Sequence, residues 1–184
     1  ERVQIFGEPS AGKSTLFLTL AGLWSRGNGR IRLPPRDRIA FLPERPYFPL
    51  GSLRDAVAYP EQGDSFETRV MQSALEAVGL RRLVNMLDDV ERWDKRLSTD
   101  EQQMLAFARV LLHRPSWVVM DDATSDLDLT QTRRVFEALD TLSGTTIVSL
   151  TRSEDLGEFF RRSVRLGRRP RITGWRSRVT GTPA

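Results

Sequence analysis

Gly7-Glu8-Pro9-Ser10-Ala11-Gly12-Lys13-Ser14 follows an apolar run, Val3 to Phe6, and precedes another, Thr15 to Leu23. The octet has the G-x-x-x-x-G-K-[ST] spacing of a phosphate loop, set where a strand would hand over to a helix. Glycines at its two ends let backbone N–H groups curl around an anion. Lys13 can reach β and γ phosphates, Ser14 can offer its hydroxyl to Mg²⁺, and a helix over Thr15 to Leu23 would aim its N-terminal dipole at the same place. Gly7, Glu8, Pro9, Ser10, Ala11, Gly12, Lys13, Ser14 and Thr15 are therefore the candidate nucleotide cradle. Ser10 is tolerated in it provided that φ stays negative.

Outward from this loop the chain alternates short apolar runs with helical spacing. Ile31 to Leu33 and Ile39 to Leu42 read as strands on either side of Pro34-Pro35, and Pro43, Pro46, Pro49 and Pro60 mark an irregular connection. Ser52 can cap a helix from Leu53 to Ala58. Phe66, Val70, Ala74, Leu75 and Val78 recur at helical spacing, and Arg81 to Leu87 extends a helical middle. Ser98 and Glu101 have the spacing of a capping box, so a helix starts at Ser98 or Thr99 and runs toward Pro115. Trp117 to Met120 reads as a buried parallel strand closed by Asp121 and Asp122, and the carboxyl ends of such strands are where α/β sheets bind ligands. Leu129 to Leu142 reads as a helix, Thr145 to Leu150 and Ser163 to Leu166 as strands. The alternation predicts an α/β fold with a mainly parallel sheet.

The 184 residues suffice for one domain with its own core. No apolar run approaches the ~20 residues of a membrane span, and Glu1-Arg2 does not open a secretory signal, so any membrane attachment would come through a partner or another segment. The lack of cysteine excludes a disulfide framework, a thiol nucleophile and a cysteine metal site. The net charge is +4, and Lys13 and Lys95 are the only lysines, which singles out the lysine of the phosphate loop. Arginines thicken from Arg161 to Arg178. Over about 168–184 they form a basic tail that reads as a solvated terminus rather than a contact for nucleic acid or lipid, because Trp175 alone interleaves with them.

Further segments stand in the order found in ATP-binding cassette (ABC) nucleotide-binding domains, which the chain resembles over nearly its whole length. Phe41 to Pro46 resembles the Q-loop region, Leu97 to Gln103 the LSGGQ-like signature, Val118 to Asp122 the Walker B strand, Ser125 to Asp128 the D-loop and Thr151 to Leu156 the switch region. Pro46 to Arg54, ending at Ala58-Tyr59-Pro60, is similar to SbmA/BacA-like bacterial transporters and peroxisomal fatty-acyl half-transporters, as are Trp93 and Glu101-Gln102-Gln103.

The resemblance implies one P-loop NTPase domain over 1–184, with helices flanking the sheet and an inserted helical subdomain plus signature helix over about 46–113. It implies ATP and Mg²⁺ as ligands. The implied partners are a fused transmembrane domain and a second nucleotide-binding domain in a head-to-tail dimer, at the cytoplasmic face of a membrane such as the bacterial inner membrane. In that dimer Ser98 and Asp100 of one chain would close over the ATP of the other. Ser14, Asp121 and Glu44 occupy metal-holding positions, although Asp121 also suits a helix cap. Asp128 fits a contact to the opposite chain and a cap for the helix from Leu129 equally well.

Nearly every catalytic position departs from the family pattern. Asp122 stands where a glutamate orients the attacking water, one methylene short; a retreat of roughly 1 Å can lower rate on the order of a hundredfold. Arg152 replaces the switch histidine, and it can pair with phosphate but cannot relay protons. The only histidine, His113, suits a helix C-terminus. Glu44 replaces the Q-loop glutamine and adds negative charge. Asp100 replaces a glycine, satisfying a helix dipole that a phosphate would use. The N-terminal strands and adenine-stacking aromatic of such domains have no counterpart, so base recognition is expected to be weakened.

The reading is a transporter motor domain with Asp122, Arg152 and Glu44 as its catalytic set, reduced ATP affinity and very low hydrolysis. The alternative is a degenerate nucleotide-binding or regulatory module without turnover. An ABC-type ATPase acting on nucleic acid would bind with a steep salt dependence, and the Pro46 to Pro60 resemblance argues against it. No Asn-Lys-x-Asp segment supports a GTPase.

Overall fold

The computed structural model describes residues 1–152 and 156–167. Along the chain run β1 (Arg2–Phe6), α1 (Lys13–Leu20), β2 (Ile39–Leu42), β3 (Gly51–Ser52), α2 (Leu53–Ala58), α3 (Thr68–Ala77), β4 (Val90–Glu91), α4 (Trp93–Arg96), α5 (Thr99–His113), β5 (Trp117–Asp121), α6 (Leu129–Asp140), β6 (Thr146–Thr151) and β7 (Arg162–Arg165). Five of these strands pair in parallel, in the order β2-β5-β6-β1-β7. The α/β architecture with a parallel sheet is the one that the alternating pattern predicts.

Both faces of the sheet are covered, and the period of two along each strand decides which side chain goes where. On β5, Val119 joins Phe17 of α1 and Leu150 of β6 on one face. Its neighbours Val118 and Met120 face the larger core with Phe107, Leu105 and Phe136. Helix α5 is the spine of that core and packs against α2, α3 and α6. Phe107 is fully buried there, a position where truncation to alanine costs ~3–5 kcal/mol.

Several local expectations are overturned. Ile31 to Leu33 is not a strand; Ile31 and Leu33 are 48% and 39% exposed, and Pro34 and Pro35 bring no N–H to a ladder. Helix α1 begins at Lys13 and stops at Leu20 rather than spanning Thr15 to Leu23, because Leu23 and Trp24 both fold back to donate to the Leu18 carbonyl around Gly22 at φ +74°. Arg81 to Leu87 forms only a 3₁₀ turn, Arg81–Leu83. Beyond it the chain gives the carbonyls of Leu87 and Asp89 to the N–H groups of Arg54 and Leu53, satisfying donors that the start of α2 leaves free. The short pieces β3, β4 and α4 carry too few residues for periodicity to reveal them. His113 does not serve its own helix end: its Nε2 lies 2.8 Å from the Ala58 carbonyl, and its ring meets the edge of Phe66. Of the switch segment, positions 153–155 fall outside the described residues, as does the basic tail over 168–184.

Candidate functional site

In a parallel sheet every strand points the same way, so the loops after β1, β2, β5 and β6 all leave from one edge. They carry the phosphate loop, Glu44, Asp121-Asp122 and Arg152 respectively. A cleft of about 400 Å³ opens at that edge, lined by Pro9, Ser10, Gly12, Lys13, Ser14 and Thr15 with Glu44, Asp122 and Arg152. Gly7 and Glu8 line an adjoining recess with Phe6, Arg152 and Arg165.

The loop is shaped by its sequence. Ala11 donates its N–H to the Glu8 carbonyl at 3.1 Å, closing a turn with Pro9 second and Ser10 third. Pro9 fixes a negative φ and the next residue then takes a positive one, as in a type II turn. Ser10 accordingly has φ +67°, contrary to the negative value expected for it, which costs a non-glycine residue on the order of 1–2 kcal/mol. Gly12 caps α1 at φ +99°, and a Cβ added there would meet nothing within 4 Å. No side chain caps α1 and no acidic residue sits in its first turn. Gly7 is confined for another reason: a Cβ would lie 2.4 Å from the Leu166 carbonyl at the end of β7.

Three carboxylates and two cations gather at this edge of the sheet, in unlike circumstances. Lys13 is buried and donates to the carbonyls of Gly7 at 2.6 Å and Glu8 at 3.2 Å. Asp121 is buried at the end of β5, within hydrogen-bonding reach of Ser14, yet its Oδ1 has no partner. Burial pushes the Asp121 carboxyl above the ordinary carboxylate value, the charges of Asp122 and Glu44 push the same way, and Ser14 and Lys13 oppose them. Asp122 is fully engaged. Its Oδ1 accepts the Arg152 N–H at 3.1 Å and its Oδ2 accepts Arg152 Nε at 3.0 Å, while Arg152 Nη2 donates to Glu44 Oε1 at 2.9 Å. The pair with Asp122 holds the Arg152 guanidinium above its usual value.

Ser98 and Asp100 lie elsewhere, at the start of α5, and line neither the cleft nor the recess. Asp100 accepts from the Ser98 hydroxyl and, at 2.8 Å, from Gln131 Nε2 of α6. Glu101 accepts the Ser98 N–H at 3.1 Å. The Ser98 hydroxyl holds the Asp100 carboxyl below the ordinary value of 3.8. Asp128 caps α6, its carboxylate accepting the Gln131 N–H at 2.7 Å. The partnership of Gln131 with Asp100 was not legible in the sequence, since 31 residues separate the two.

The family model for ABC transporters matches residues 1–125. Among curated proteins, the chain is 38% identical over 160 residues to an uncharacterized ABC transporter ATP-binding protein of Synechocystis, covering 85% of this chain and 24% of that protein. It is 35% identical over 131 residues to ATP-binding cassette sub-family D member 3 of Homo sapiens, covering 67% of this chain and 20% of that protein. A solved bacterial Atm1-family ABC exporter with ATP bound shares the fold at a TM-score of 0.78 and 23% identity, over 90% of this chain and 32% of that one. The chain thus spans between a fifth and a quarter of the length of these curated relatives.

Proposed function

Because the chain belongs to the ABC transporter family, as one of its ATP-binding domains, we propose that it is a transporter motor that binds Mg-ATP and turns it over very slowly. Nucleotide binding comes with the family. The finer assignment rests on the cleft.

The uncapped start of α1 and the amides of the phosphate loop offer an anion site, and Lys13 would exchange the carbonyls of Gly7 and Glu8 for β and γ phosphate oxygens. Magnesium takes one or two carboxylates and completes its shell with phosphates and water. The unpartnered, buried Oδ1 of Asp121 fits such an ion, with Ser14 beside it and Glu44 across the cleft. When bound, magnesium neutralises charge that develops on the transferring phosphoryl group.

The observation that carries low turnover is the grip of Arg152 on Asp122. A carboxylate that orients water must aim a lone pair at it, and Arg152 donates to both oxygens of Asp122, through its backbone N–H and its Nε, which turns the carboxylate toward Arg152. Ser98 and Asp100, remote from their own cleft, would reach a nucleotide only across a head-to-tail dimer. Their intrachain partners leave them poorly placed to bind it. The proposed partners are a second such domain and a transmembrane domain, at the cytoplasmic face of a membrane such as the bacterial inner membrane. The proposed unit is 1–184, with its helical subdomain over about 46–113.

Calorimetry of the purified protein with ATP, with and without magnesium, should be run beside phosphate-release kinetics. Magnesium-dependent heat with turnover below about 0.1 s⁻¹, some hundredfold under a typical enzyme, is the expected result. No heat with ATP rejects the nucleotide cradle, and turnover near 10 s⁻¹ rejects the grip. Heat without any turnover turns the motor into a nucleotide-responsive regulatory module.

A further inference from the structure

Gln103 is 2% exposed, in the second turn of α5, and touches neither cavity. Its amide reaches two separate loops. Nε2 lies 3.2 Å from each of three acceptors: the Glu44 carbonyl after β2, the Ser125 hydroxyl and the Asp126 Oδ2 after β5. Oε1 accepts the Asp126 N–H at 3.1 Å, which fixes the orientation of the amide. We propose that Gln103 is a positioning residue that couples the cleft, through the Glu44 carbonyl, to the Ser125–Asp128 turn and the first turn of α5. The proposal rests on the nucleotide reading above.

Two features argue that this amide does more than fill space. A buried Gln must satisfy its donors and acceptor, which an apolar residue of similar volume would not have to do. Moreover, an NH₂ group has two protons, and three acceptors compete for them at equal distance. The amide can therefore repartition its donors between Glu44 and the 125–126 turn with a small shift of either loop, without leaving a buried group bare. Such a switchable contact is what coupling between two sites needs.

Both ends of the connection are anchored. On the cleft side, the Glu44 carboxylate takes Arg152 Nη2, so a ligand that draws off Arg152 disturbs Glu44 directly. On the far side, the Ser125 N–H donates to the Asp122 carbonyl, and Asp128 starts α6, whose Gln131 holds Asp100. Gln103 is thus the point where the cleft's two acidic loops meet the helix whose start carries Ser98 and Asp100.

Hydrogen–deuterium exchange of the purified protein with and without Mg-ATP, alongside calorimetry, tests this. In the wild type, segments 7–15, 43–47 and 125–131 respond together. In Gln103→Leu, ATP affinity stays within about threefold while the response of 125–131 falls at least fivefold and that of 43–47 persists. Gln103→Glu keeps the acceptor for the Asp126 N–H but sets a carboxylate against Asp126; adding Asp126→Asn restores a donor–acceptor pair and brings the response back to within about twofold. A lowered melting temperature with all segments still responding in the wild-type ratio overturns the proposal, as does a double variant that recovers nothing. No ATP response even at 7–15 instead overturns the nucleotide reading, and the coupling with it.

Discussion

Two helix starts in this molecule are built for opposite purposes. Each exposes N–H groups and carries roughly half a positive charge. At α1 that charge is left unanswered: Gly12 is the cap, no side chain returns to it, and the first turn holds no acid. At α5 the chain answers it with a capping box and with Asp100 and Glu101 in the first turn. The same backbone physics thus yields an anion site in one place and a self-sealed end in the other, and the side chains of a single turn decide between them.

The largest effect is expected at the open start. Lys13 is the only lysine near the cleft, and its ammonium would make charge-assisted contacts with the bridging and terminal phosphates. Losing contacts of 1.5–3 kcal/mol weakens ATP binding roughly 10- to 150-fold. Calorimetry on Lys13→Ala, with Lys13→Met as a control that keeps the buried stem, should show this for both variants. Wild-type affinity in either would mean that the open helix start binds nucleotide without its lysine, or not at all in the proposed way.

A smaller gain is expected from releasing Asp122. Combining Arg152→His with Asp122→Glu removes the guanidinium's hold on the carboxylate, leaving only the backbone N–H of position 152, and returns a methylene to the carboxylate. Turnover should rise roughly tenfold, about 1.4 kcal/mol in the barrier. If phosphate release stays at the wild-type rate, the slow step lies outside this pair, and the sealed start of α5 becomes the obstacle to test next.

Local rules made much of this readable. The phosphate loop, the caps at Ser52, Ser98 and Asp128, and the strand before Asp121 each depend on residues within one or two turns of each other, so spacing alone finds them. The positive φ of Ser10 was missed although Pro9 before it is the signal: a proline second in a turn dictates what the third residue must do. What sequence could not supply was pairing at a distance. Arg152 meets Asp122 across 30 residues and Glu44 across 108, because parallel strands bring their ends to one edge. Substitution by arginine is visible in the string; which carboxylates it would occupy is not. The failure of Arg81 to Leu87 to become a helix is of the same kind, since the carbonyls of Leu87 and Asp89 are recruited by a helix start more than thirty positions earlier.

The smallest effect tests the sealed start directly. Asp100→Asn keeps the shape of the side chain but removes its charge and one of its two acceptor oxygens, so at pH 7 it should lower stability by about 0.3–1 kcal/mol from the charge alone, near the bottom of that range for a partly solvated residue. The sign with pH follows from the depressed carboxyl. Ionised Asp100 contributes fully above its unfolded value of 3.8, and that contribution drains away as pH falls through the lower folded value. Thermal melts of wild type and variant should therefore stay separated by a constant gap from pH 7 to 5 and converge below pH 4. A gap that persists into acid would show that Asp100 acts through its hydrogen bonds to Ser98 and Gln131 rather than through charge. The start of α5 would then be sealed by geometry, and neutralising it would not reopen the site to a phosphate.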